Sequence, residues 1–124
     1  MELFLKVQDH QLEVEHEHTL FSQLLWEFQL FEQQMIRCLN LNAGISNLKD
    51  LKPVIYIEVN PDRTVKSSRI VNQENMIDSS FRTAAEAALR AVNNPECSPL
   101  MLPENKYETW KEVNFTFDFS WMFD

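Results

Sequence analysis

The sequence predicts an α+β domain: a three-stranded antiparallel sheet with helices packed on one face. Three observations predict it. The C-terminal stretch alternates strictly, with Val113, Phe115, Phe117, Phe119, Trp121 and Phe123 on one side and Asn114, Thr116, Asp118 and Ser120 on the other. A helix would scatter these aromatics around its circumference, whereas a strand collects them on one face. Phe81, Ala84, Ala85, Ala88, Leu89 and Val92 instead recur at helical spacing. Between these segments, Ile55, Ile57 and Val59 alternate as far as Asn60-Pro61-Asp62-Arg63, whose proline and aspartate favour a turn.

The elements follow in order. Leu3, Leu5 and Val7, then Leu12 and Val14, alternate about Asp9-His10, which reads either as a weak hairpin or as a frayed acidic terminus. Leu20, Leu24, Phe28, Phe31, Met35 and Leu39 predict a helix over 20–39, with Thr19 as its N-cap. Leu25, Trp26 and Leu30 widen its stripe, so the helix buries more than one side. Gly44 is suited to the left-handed conformation that stops a helix. A hairpin follows, whose second strand, Val65 to Asn72, is polar enough to be exposed. Asp78, Ser79 and Ser80 offer caps for the central helix, on which Arg82, Glu86 and Arg90 form a charge ladder. Asn93-Asn94-Pro95 ends it. Pro103 suits the first turn of a short helix carrying Tyr107 and Trp110, and the alternating strand closes the chain. Helix, strand, strand, helix, short helix, strand makes a two-layer sandwich.

A chain of 124 residues bounds the answer to one domain, and 44% hydrophobic residues favour a packed core over disorder. The net charge of −8 weighs against nucleic acid and against anionic lipid as partners. Most of that charge lies in residues 1–33, which hold seven acids and one base. The sequence therefore divides into an acidic N-terminal extension, 1–33, and a domain, 34–124. No stretch is long and apolar enough to span a membrane, and no basic region followed by a hydrophobic run marks a signal peptide. A role outside the cytoplasm would then imply a piece of a longer chain.

Catalytic chemistry finds little support. Gly44 is the only glycine, so no glycine-rich phosphate loop can form. No G-x-S-x-G elbow is present, and no histidine follows His18 to pair with a downstream serine or cysteine. His10, His16 and His18 lie among Glu13, Glu15 and Glu17, but their spacing fits no zinc motif; a solvated acidic terminus is the simpler reading. No catalytic residue, metal site or cofactor is expected. Cys38 and Cys97 are either a disulfide or two reduced, buried thiols.

Residues 35–123 resemble the C-terminal domain of the TolA family, in its alphaproteobacterial form. The resemblance rests on an ordered series. Gln34-Met35-Ile36-Arg37-Cys38 and Asn40-Leu41-Asn42-Ala43-Gly44 look like the opening helix and turn. Val59-Asn60-Pro61-Asp62-Arg63-Thr64-Val65 looks like the first hairpin. Phe81 to Val92 looks like the central helix. Cys97-Ser98-Pro99-Leu100, Leu102-Pro103 and Lys106 to Lys111 look like the loop and short helix, and Phe117-Asp118 like the last strand. The related TonB C-terminal domain shares the outline. Arg63 stands where the family hairpin carries glycine, and Leu39 and Phe119 replace a tryptophan and a proline.

The resemblance implies a non-catalytic periplasmic interaction domain. It would couple inner-membrane Tol machinery to Pal and TolB, and serve as a receptor for bacteriocins or filamentous phage coat protein. It also implies that Cys38 and Cys97 are paired. The alternatives are a TonB-like energy-transducing domain, or a standalone domain that homodimerises through residues 1–33. A three-stranded sheet has two open edges, and open edges accept a partner's extended segment. The expected partner-binding edges are Val113, Asn114, Phe115, Thr116, Phe117, Asp118 and Phe119, and the segment Lys66–Asn72 with Lys66, Ser67, Ser68 and Arg69.

Overall fold

The computed structural model describes residues 2–7, 18–41 and 44–120, with side chains from Phe28 onward. Its elements are β1 (Glu2–Val7), α1 (His18–Cys38), β2 (Val54–Val59), β3 (Val65–Ile70), α2 (Ser79–Val92), α3 (Tyr107–Trp110) and β4 (Glu112–Asp118), with single 3-10 turns at Leu48–Asp50, Gln73–Ile77 and Pro95–Cys97. The expected α+β fold is present. The three predicted strands form an antiparallel sheet in the order β4-β2-β3, and β1 adds a fourth strand outside β4.

The alternation that predicted the strands also sets the core. Ile55, Ile57 and Val59 on β2, and Val113, Phe115 and Phe117 on β4, are buried on one face. Tyr56, Glu58, Asn114 and Thr116 are half-exposed on the other, as expected for an antiparallel sheet with one wet side. Helices α1 and α2 cover the buried face. Phe31 of α1 reaches Phe115 with ring centroids 4.8 Å apart, and Phe115 stacks on Phe117 at 4.8 Å. Helix α2 buries Phe81, Ala84, Ala85, Ala88 and Val92, and Ala87 and Ala91 as well, since its small side chains admit close neighbours on two sides. Asp78 caps it by accepting the Ser80 N–H. The expected charge ladder does not form: among the described residues no ion pair joins Glu86 to Arg82 or Arg90, and Arg82 instead donates to the Met76 carbonyl at 2.9 Å.

Several expectations are corrected. Helix α1 starts at His18, so Thr19 lies within it, and it ends at Cys38, well before Gly44. Gly44 does not adopt positive φ. Helix α3 begins at Tyr107, after a turn in which the Lys106 N–H donates to the Pro103 carbonyl at 3.2 Å. Strand β4 stops at Asp118, whose carboxylate accepts the Ser120 N–H at 3.0 Å and bends the chain out of the ladder. Trp121 and Phe123, expected to extend it, lie outside the described residues. So do Leu12 and Val14, the expected second arm of an N-terminal hairpin. Glu2–Val7, where its first arm is expected, forms β1 and pairs with β4.

No domain boundary falls at 33/34. Helix α1 runs through it, and Phe28, Phe31 and Met35 belong to one core with the sheet and α2. Residues 1–33 are acidic, yet Phe28 and Phe31 on that side of the point are buried together with Met35 beyond it.

Candidate functional site

Four features organise the surface on which a function can act: the disulfide, the loop it anchors, the hairpin turn, and the two sheet edges.

Cys38, the last residue of α1, is bonded to Cys97 in the turn after α2. Their Cα atoms are 6.5 Å apart, within the span a disulfide bridges. One turn earlier on α1, Gln34 is buried and fully used. Its amide nitrogen donates to the Cys97 and Pro99 carbonyls, both at 3.0 Å, and its amide oxygen accepts the Met101 N–H at 2.8 Å. One side chain thus satisfies three main-chain groups of a loop whose only regular structure among the described residues is the Pro95–Cys97 turn. Replacing Gln34 with alanine leaves all three without partners, and is expected to lower stability by about 2–4 kcal/mol in urea unfolding. A loss below about 0.5 kcal/mol would show that water replaces the amide without cost.

The same loop reaches the β2–β3 turn, where the Leu100 N–H donates to the Arg63 carbonyl at 2.8 Å. The turn is closed by the Arg63 N–H on the Asn60 carbonyl and the Asn60 N–H on the Thr64 carbonyl, both at 2.8 Å. Arg63 has φ of 72°, the left-handed conformation that a three-residue hairpin connection requires and that glycine adopts most easily. The hydroxyl and N–H of Thr64 both bond the Asp62 carboxylate and hold its pKa below the ordinary value.

The expected edge Val113–Phe119 is not an edge. Strand β4 pairs with β2 on one side and with β1 on the other. Val113, Phe115, Phe117 and Phe119 are fully buried; Asn114 and Thr116 are half-exposed on the wet face. Asp118 is nearly buried. Burial alone would raise its pKa, but the hydrogen bonds from Ser120 and the Lys52 ammonium at 3.4 Å outweigh it and lower the pKa.

Among the described residues strand β3 is an edge, bonded only to β2. The Val71 N–H donates to the Val54 carbonyl at 2.8 Å, so alternation turns the main chain of Ser67 and Arg69 towards β2 and that of Ser68 and Ile70 away from it. The outward Ile70 carbonyl is taken by the Gln73 side chain at 2.9 Å. That leaves the Ser68 N–H and C=O and the Ile70 N–H on the open side. Lys66, Ser67 and Arg69 are exposed, and Ser68 is half-exposed with its hydroxyl at Asn93. Arg69 lies 4.8 Å over the Tyr56 ring, and Ser67 donates to Glu58 at 2.8 Å. A register shift at Glu58/Val59 bends the strand's start.

A shallow concave surface of about 460 Å³ lies between the Leu48–Asp50 turn and the start of α2, with Asp50, Lys52, Asn72, Glu74 and Phe81 in its wall. No group of three or more metal-ligating side chains occurs among the described residues. No helix there is long and apolar enough to cross a membrane. His10 and His16 lie outside the described residues, and His18 opens α1.

Comparison with protein-family models, curated proteins and solved structures finds no match to this chain.

Proposed function

We propose that this chain is a non-catalytic protein–protein interaction domain of the Tol-Pal type. It works in the periplasm and couples inner-membrane machinery to Pal and TolB. The observation that carries this reading is the open stretch of β3, where three main-chain hydrogen-bonding groups at Ser68 and Ile70 face outward. An extended partner segment pairs there as a fifth strand. Lys66 and Arg69 flank these groups and favour an acidic partner segment, while opposing self-pairing of this edge. The Cys38–Cys97 disulfide supports an oxidising compartment, and the α+β outline supports the resemblance carried by the sequence.

Ser68→Pro tests it. The Ser68 N–H faces away from β2, so proline removes a donor from the open side without breaking the ladder. Binding of purified Pal and TolB is expected to weaken by about tenfold while thermal unfolding stays cooperative. Unchanged affinity for a partner that does bind would move the contact off β3. Binding of neither would remove the Tol-Pal assignment itself.

A further inference from the structure

The two sheet edges are protected unequally. On β3 a register shift and the Gln73 side chain narrow the open stretch to Ser68 and Ile70, and Lys66 and Arg69 oppose pairing with a second copy. Among the described residues strand β1, Glu-Leu-Phe-Leu-Lys-Val, forms the other edge, with no register shift in its pairing to β4. Its main-chain orientation follows from the register. The Phe117 N–H donates to the Pro53 carbonyl beside β2, so the main chains of Asn114, Thr116 and Asp118 face β1. Their partners are Lys6, Phe4 and Glu2. The main chains of Leu3, Leu5 and Val7 therefore face outward.

We infer that β1 is a homodimer interface: two copies pair their β1 strands antiparallel about a two-fold axis at Phe4, joining two four-stranded sheets into one of eight. Three independent requirements are met by this one register. Leu3 falls opposite Leu5 of the second copy, and both have outward main chains, so they form the hydrogen-bonded pairs. Phe4 falls opposite Phe4 in the closer, non-hydrogen-bonded pair, where aromatic side chains gain most. Glu2 falls opposite Lys6, and symmetry makes two such opposite-charge pairs. Centring the axis on Leu5 keeps the main-chain match but sets Phe4 against Lys6 and loses the charge pairs. A two-fold interface uses the same patch on both copies, which a self-complementary strand supplies. The inference does not depend on the Tol-Pal reading.

The test is sedimentation velocity of the full chain over a concentration series, with any tag at the C-terminus. The expected species is a dimer that weakens as salt rises. Lys6→Glu replaces both charge pairs with repulsion and is expected to weaken association by about tenfold. Adding Glu2→Lys to it restores opposite charges across the axis and is expected to recover the dimer. Leu5→Pro removes an outward donor from each copy and is expected to give a monomer. A wild-type monomer throughout the series overturns the inference. So does a dimer that Lys6→Glu and Leu5→Pro leave unmoved, since it assembles through another surface. Failure of the double swap to recover what Lys6→Glu loses overturns the proposed register.

Discussion

Replacing both Cys38 and Cys97 with serine is expected to destabilise the fold by about 4 kcal/mol. The bond spans a sequence separation of 59 residues, and closing a loop of that length removes a large share of the unfolded chain's freedom. It also acts where the chain has least regular structure. The loop from Pro95 to Pro103 has one 3-10 turn and depends on α1 for its order, through the disulfide and through Gln34. Urea unfolding of the oxidised and reduced wild-type protein, beside the double serine variant, checks this. Reduction and the double substitution should give the same loss. A loss below about 1 kcal/mol in both would mean that packing alone holds α1 against the loop.

Phe31→Ala is expected to cost about 3–5 kcal/mol, comparable with removing the disulfide. Phe31 is fully buried and its ring meets Phe115 at the centre of the sheet's covered face. Truncation there leaves a cavity whose walls belong to separate elements, α1 and β4, so collapse into it is restricted. The result decides how residues 1–33 relate to the rest. An appended extension would tolerate the change nearly without effect; a shared core would not. The same denaturation curves measure it, and an unchanged midpoint would return residues 1–33 to the status of an extension.

What the sequence made legible is what periodicity records. Alternation at Ile55–Val59 and Val113–Phe119 marked two strands and their buried faces, and the alanine-rich stripe marked α2. Periodicity names a strand's face but not its neighbour. Leu3, Leu5 and Val7 therefore read either as one arm of a hairpin with Leu12 and Val14 or as part of a frayed terminus. The register sets them opposite Phe117, Phe115 and Val113, at the far end of the chain. That one unseen pairing closed the expected β4 edge, so of the two expected edges only β3 stays open among the described residues.

Charge misled in the same region. The acidity of residues 1–33 suggested a separate segment, although the stripe through Phe28, Phe31 and Met35 crosses the supposed boundary unbroken. Net charge describes solvent-facing side chains, whereas a domain is defined by its shared core. Gln34 escaped notice because a lone glutamine on a helix ordinarily faces water. Its position three residues after Phe31 and four before Cys38 placed it on the buried side, and that was the available signal. Arg63 occupies a turn position that favours glycine, and the chain adopts the left-handed conformation there regardless, held by the hydrogen bonds around Asn60 and Thr64.

The most direct measurement of the partner-binding proposal is an amide NMR titration of the isotope-labelled, oxidised chain with purified Pal and then TolB. The expected result is perturbation centred on Lys66–Ile70, with the Ser68 and Ile70 amides gaining protection from hydrogen exchange and the amides of β4 unmoved. Perturbation confined to β1, β4 or the disulfide loop, or no perturbation by either protein, would contradict it.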